Sequence, residues 1–206
     1  MAELYYVHDP MCSWCYGFKP TLDALLKALP ENIQVKRLLG GLAPDTNQAM
    51  PLEMQEMIQS AWQRIEKTIP SIQFNYSFWE NCKPRRSTYP ACRAIIAART
   101  QGEEYDGQMT FAIQRAYYLE ARNPSDDTTL IRLAQNIGLD EARFTVDLNS
   151  LETRKILGSE IRNAETLGVY SFPGLALCAG SSCWPIAVDY IDHRTMLNGI
   201  RNTLEP

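Results

Sequence analysis

Asp9-Pro10-Met11-Cys12-Ser13-Trp14-Cys15-Tyr16-Gly17 is the stretch of this 206-residue chain whose reading decides the fold. Leu4-Tyr5-Tyr6-Val7 precedes it and has strand propensity. Phe18 to Leu29 follows it, with Leu22, Leu25, Leu26 and Leu29 on one face of an amphipathic helix. Two cysteines spaced C-x-x-C therefore sit where a strand ends and a helix begins. The free N–H groups and the positive dipole end of a helix start favour a thiolate over a thiol. Cys12 is read as the reactive cysteine, because the thiolate is the nucleophile. Cys15, one turn further in, is placed to close a disulfide with it.

The composition is that of an ordinary globular domain, with 45% apolar and 21% charged residues. A net charge of −4 offers no general attraction for polyanions, so no nucleic-acid partner is expected. No apolar run is long enough to cross a bilayer, and no membrane role is expected. Met1-Ala2-Glu3 leads straight into the strand, without the basic and apolar regions of a secretory signal. The expected location is cytoplasmic. In that compartment a C-x-x-C beside a strand–helix–strand pattern reads as redox chemistry rather than as part of a disulfide framework.

Asn32 to Leu39, ended by Gly40-Gly41, reads as a second strand and completes a right-handed βαβ unit. The pattern then changes. Apolar residues fall at helical spacing at Met54, Ile58, Ala61, Ile65 and Ile69, and again at Ala91, Ala94, Ile95 and Ala98. Met109 to Tyr117, Leu130 to Ile137 and Leu157 to Leu167 repeat that spacing. Breaks fall at Pro70, Pro84, Gly102, Asn123-Pro124 and Gly138. Strand character returns in Pro173 to Cys178 and Cys183 to Val188, a hairpin turning over residues 179–182, and a helix from about Ile191 to Leu204 closes the chain. The expected fold is α/β and thioredoxin-like, with residues 1–45 and 150–206 forming a discontinuous frame and 46–149 an inserted all-helical domain.

This order, with Cys12-Ser13-Trp14-Cys15 after the first strand and Ser171-Phe172-Pro173 opening the hairpin, resembles the DsbA-like thiol–disulfide oxidoreductases of the thioredoxin superfamily. It is most similar to signal-less members whose motif reads roughly D-P-x-C-x-W-C-Y-G. The resemblance implies a protein-disulfide oxidoreductase with Cys12 as nucleophile, Cys15 as resolving thiol and no bound cofactor. Its partners are then protein or small-molecule thiols and disulfides, with glutathione a candidate co-substrate. It also implies a cis bond between Phe172 and Pro173, which presents the Phe172 backbone to a substrate strand and keeps metal ions off the cysteine pair. Kappa-type glutathione transferases and 2-hydroxychromene-2-carboxylate isomerases share the architecture. They typically carry serine where Cys12 stands, and Cys15 would be idle in them. A chaperone-like peptide-binding module is the non-enzymatic alternative.

Other residues have two readings each. Trp14 offers substrate an apolar contact or is a half-exposed loop aromatic. His8 or Asp9 assists proton transfer to Cys15; the blander reading, which we favour, makes Asp9 a turn cap and His8 a strand-end residue. Lys83, Arg85, Arg86 and Arg93 read as a solvated basic face rather than an anion site. Cys178 and Cys183 are either an auxiliary redox pair or two core thiols. No metal site is expected, since zinc would need both cysteine pairs to meet. Cys82 and Cys92 read as unpaired.

Overall fold

Residues 2–204 are described in a computed structural model. Strand β1 (Ala2–His8) feeds helix α1 (Ser13–Ala28), which returns to β2 (Ile33–Leu39). The two strands are parallel, in register from Ala2↔Ile33 to His8↔Leu39. A helical block follows: α2 (Leu52–Thr68), α3 (Phe78–Asn81), α4 (Tyr89–Arg99), α5 (Tyr105–Tyr118), α6 (Asp127–Asn136) and α7 (Glu141–Leu148). Helix α8 (Leu151–Thr166) leads back to β3 (Gly174–Ala179) and β4 (Ser182–Ile186), and α9 (His193–Leu204) ends the fold. The sheet order is β2-β1-β3-β4, with β3 antiparallel to both its neighbours.

Alternation along the strands divides the side chains between two faces. Leu4, Tyr6, Leu175 and Leu177 pack with Phe18, Leu22 and Leu25 of α1 and Met196 and Ile200 of α9. Val7 and Ala176 point the other way and pack against Ala164 and Val169, at and beyond the end of α8. The largest core belongs to the helices. Its centre is Trp62 of α2, fully buried, stacked on Phe74 at 4.7 Å and met edge-on by Tyr76, Tyr117 and Tyr118. Met11 and Leu39 of the α/β frame join this core, so it reaches the C-x-x-C loop directly.

A partly buried ion network fastens the helices to the sheet. Arg37 of β2 meets Asp106 of α5 at 3.1 Å. Arg99 of α4 meets Asp106 at 3.2 Å and Glu160 of α8 at 2.9 Å. Glu160 also accepts the Leu39 amide at 2.8 Å. Removing one member would strand the others, which is what gives such networks their structural weight.

The hairpin is tighter than its sequence suggests. Its turn takes only Gly180 and Ser181 between the strands, because Gly180 adopts a φ of +61° that suits the primed turns of two-residue hairpins. Helices α3 and α7 are additional to the expected set. Helix α7 starts where the Asp140 side chain accepts the Arg143 amide.

Trp62→Ala is expected to destabilise the protein by about 3–5 kcal/mol, read as a lowered midpoint in urea unfolding. A loss under about 1 kcal/mol would mean that the aromatic cluster is not the structural centre of the helical block.

Candidate active site

Cys12 occupies the N-cap of α1, with extended φ and ψ of −79° and 113°. Its amide donates to the Asp9 carbonyl at 3.0 Å, and its carbonyl accepts from Tyr16 at 3.1 Å. The loop and the first turn of the helix thereby lock together around it. Cys12 is 7% exposed and Cys15 1% exposed. Neither is in a disulfide. The Cys12 thiol lies 3.4 Å from the Phe172 carbonyl oxygen, which accepts from it. Their separation of 160 positions in sequence is closed up by the antiparallel pairing of β1 with β3.

Burial makes the two thiols unequal. It pushes the Cys15 thiol well up, and the neighbouring Cys12 pushes it further, while the Asp9 backbone amide acts in the opposite direction. Cys15 is therefore a protonated thiol at neutral pH. Tyr6, beneath it, is likewise held protonated, chiefly by burial. Cys15 also borders a cavity of about 140 Å³ shared with Tyr6, Arg37, Thr110 and Gln114.

The Phe172–Pro173 peptide bond is cis. Phe172 is half-buried with its ring against Gly40, where any Cβ would collide with it. Trp14 is half-buried rather than freely exposed. It packs against Tyr190 at 4.9 Å, and the Arg64 guanidinium lies 5.9 Å from its ring centroid. Trp14 of α1 and Tyr190 of the segment before α9 thus form one contact, while Phe172, in the loop before β3, meets Cys12 through its carbonyl.

Asp9 is the residue whose importance the sequence concealed. It does cap the turn, accepting the Met11 amide on Oδ1 at 2.8 Å. Its other oxygen accepts from the Leu42 amide at 2.8 Å, the Thr88 hydroxyl at 2.6 Å and the Cys92 thiol at 3.4 Å. The side chain is wholly buried. Burial raises its pKa, and the donors from Thr88, Leu42, Met11 and Cys92 oppose that rise. The Asp-Pro before the motif is the signal visible in sequence. The partners more than thirty residues away are not.

His8 is a buried histidine with no hydrogen-bond partner for either ring nitrogen among the described residues. It is 1% exposed and stacks on Tyr6 with centroids 4.8 Å apart. Burial lowers its pKa to about 4. The basic cluster is not a uniform solvated face either. Arg93 is buried and bridges Asp45 at 2.8 and 2.9 Å, while Arg85 meets Asp126 at 2.6 Å. Both cations are held by carboxylates of their own chain.

Cys82 donates to the Ala121 carbonyl at 3.1 Å, and Cys92 serves Asp9. Cys178 and Cys183 form a disulfide at the far end of the sheet from Cys12. The two cysteine pairs therefore cannot share one zinc ion.

A family model described as thioredoxin matches residues 5–182. The chain belongs to the thioredoxin family. Within that family it superposes on a putative protein disulfide isomerase from Nitrosomonas europaea with a TM-score of 0.84 and 27% identity, covering 99% of this chain and 98% of that one. The cytosolic disulfide reductase DsbM from Pseudomonas aeruginosa shares the fold at a TM-score of 0.72 and 24% identity, covering 98% and 97%. A probable DsbA oxidoreductase from Streptomyces coelicolor does so at 0.77 and 18%, covering 100% and 91%. The expected α/β thioredoxin fold of DsbA-like type with a helical insertion is thus the observed one. Among curated proteins, the ClpXP adapter SpxH of Bacillus subtilis is 24% identical over 173 residues. That match takes in 84% of this chain and 57% of SpxH, so the chain spans little more than half the length of its curated relatives.

His8 predicts a definite pH dependence. Its folded pKa of about 4 lies below the ordinary 6.5, so below pH 6.5 the unfolded chain binds a proton that the folded one refuses. Stability should fall as pH drops from about 6.5 towards 4, by up to about 3 kcal/mol from this group. The raised carboxyl of Asp9 contributes with the opposite sign. Urea midpoints of wild type and His8→Phe across that range isolate the histidine, and equal slopes would exclude it as the source. Asp9→Asn should cost about 1–3 kcal/mol, because an amide cannot accept all the donors that the carboxylate holds.

Proposed function

We propose that this chain is a thiol–disulfide oxidoreductase in which Cys12 attacks and Cys15 resolves. One observation carries the reading. The more accessible thiol belongs to the N-cap residue of a helix and donates to the Phe172 carbonyl, and a second, buried thiol lies one turn behind it. The putative disulfide isomerase and the disulfide reductase that share the fold support it.

In the first step the Cys12 thiolate attacks one sulfur of a substrate disulfide, and the other substrate sulfur leaves as a thiolate. Cys15 then loses its proton, for which the cavity beside it, reached by Lys19, Asp23 and Thr110, offers an outlet, and attacks the Cys12 sulfur. The Cys12–Cys15 disulfide forms and the second substrate sulfur leaves. The substrate gains two electrons and the enzyme loses two. In the opposite direction the same steps oxidise a dithiol, and the reduction potential sets which prevails. A substrate strand lies along the Phe172 backbone beside Pro173, with Trp14 supplying apolar contact. No bound cofactor takes part. Small thiols of the glutathione type return the electrons, a role suggested by a structure of DsbM with GSH. The proposed location is cytoplasmic, in keeping with DsbM being a cytosolic reductase and with four unpaired cysteines.

The SpxH relatives, which are ClpXP adapters, favour a second reading, a binding module that needs no thiol chemistry. One experiment separates the two. A Cys15→Ala variant should accumulate protein adducts on non-reducing gels that vanish with reductant, because nothing then displaces the partner from Cys12. Cys12→Ser should show none, and its insulin reduction should fall to the uncatalysed rate. A glutathione-dependent transferase or isomerase would stay active without Cys15. A pure adapter would bind its partner unchanged without either cysteine.

A further inference from the structure

The hairpin after Pro173 carries chemistry that the site above does not use. Cys178 and Cys183 are directly opposed in the β3–β4 register and are joined as a disulfide. Alternation along the strands places them on the face that α8 covers, but α8 reaches only part of it. Near Pro173 that face is closed by Ala176 and Val7 under Ala164 and Val169. At the other end it is open. Glu3, Tyr5, Lys36 and Cys178 are only half-buried there, and Gln34, Cys183 and Pro185 are exposed. β4 is the edge strand, so no further strand shields Cys183. Cys178 stands five residues beyond Pro173 along β3, roughly 17 Å at strand rise, whereas the Cys12 sulfur lies against Phe172. Cys12 therefore does not reach this pair within its own molecule.

We propose that Cys178–Cys183 is a second thiol–disulfide exchange site, opened from solvent by low-molecular-weight thiols of the glutathione class. The thiolate attacks the Cys183 sulfur, the exposed one of the two. The S–S bond breaks, and Cys178 leaves as a thiolate and takes a proton from water. A second small thiolate then attacks the small-molecule sulfur of the mixed disulfide and releases Cys183. Two small thiols become one small disulfide, and the hairpin gains two electrons and two protons. The β3–β4 ladder and its glycine turn keep the two cysteines opposite each other after reduction, so oxidised glutathione closes the bond again.

The test uses the full chain carrying Cys12→Ser and Cys15→Ser, so that its outcome is independent of the proposed active site. The folded protein is equilibrated in glutathione buffers graded from oxidised to reduced, quenched in acid, alkylated and mapped by mass spectrometry. Cys178 and Cys183 are expected to become alkylatable together at the reducing end, with Cys82 and Cys92 unchanged, and to close together at the oxidising end. With Cys178→Ser added, a single glutathione adduct is expected on Cys183. A bond that stays closed in millimolar reduced glutathione while the protein is folded would overturn the proposal and leave a structural disulfide. So would two thiols that persist at the oxidising end, or an adduct that never forms on Cys183.

Discussion

A single buried carboxylate holds the three parts of the site together. Asp9 accepts hydrogen bonds from the C-x-x-C loop through Met11, from the loop after β2 through Leu42, and from helix α4 and its N-cap through Cys92 and Thr88. A carboxylate taken out of water is costly unless every lone pair finds a donor. The constraint therefore runs both ways. The donors make the buried charge tolerable, and the charge forces the three segments into one arrangement. The Asp9 carbonyl also receives the Cys12 amide, so the N-cap residue of α1 is held by the same residue.

The chemistry follows from that arrangement through unequal burial. Cys12 keeps a small opening beside Phe172, and Cys15 is sealed behind it next to Tyr6. Burial penalises the charged form of Cys15, which holds it as a thiol at neutral pH. The helical block contributes the other wall. Its aromatic core around Trp62 reaches Met11, and the Arg37–Asp106–Arg99–Glu160 network fixes its position on the sheet. The insertion is therefore part of the site's support and not an appendage to it.

Much of this is legible in local sequence. The strand, the C-x-x-C and the helix that follows are decided within about thirty residues, and the long helices announce themselves through apolar residues at a period of 3.6. Helix α7 does not, because only Phe144 and Leu148 are buried along its eight residues and its start rests on the Asp140 cap. Arg93 reads in sequence as one of four neighbouring basic residues. Its partner Asp45 lies 48 residues away, and no local pattern distinguishes a cation that will be buried against a carboxylate from one bound for water. Cys178 and Cys183 are equally compatible in sequence with a pair and with two separate thiols. Their pairing depends on a turn of two residues, which sets them directly opposite.

What the sequence determined by itself is therefore the set of elements and the identity of the candidate reacting groups, because strand propensity, helical periodicity and C-x-x-C spacing are short-range properties. The tertiary structure alone decided the environments of those groups. It joined Phe172 to Cys12, gave Asp9 its distant donors, buried His8 without a partner among the described residues, and set the second cysteine pair at the far end of the sheet. Desolvation and hydrogen bonding act over a few ångströms of space, and the residues that supply them are brought together only when β3 pairs with β1 and the helices close over the C-x-x-C loop.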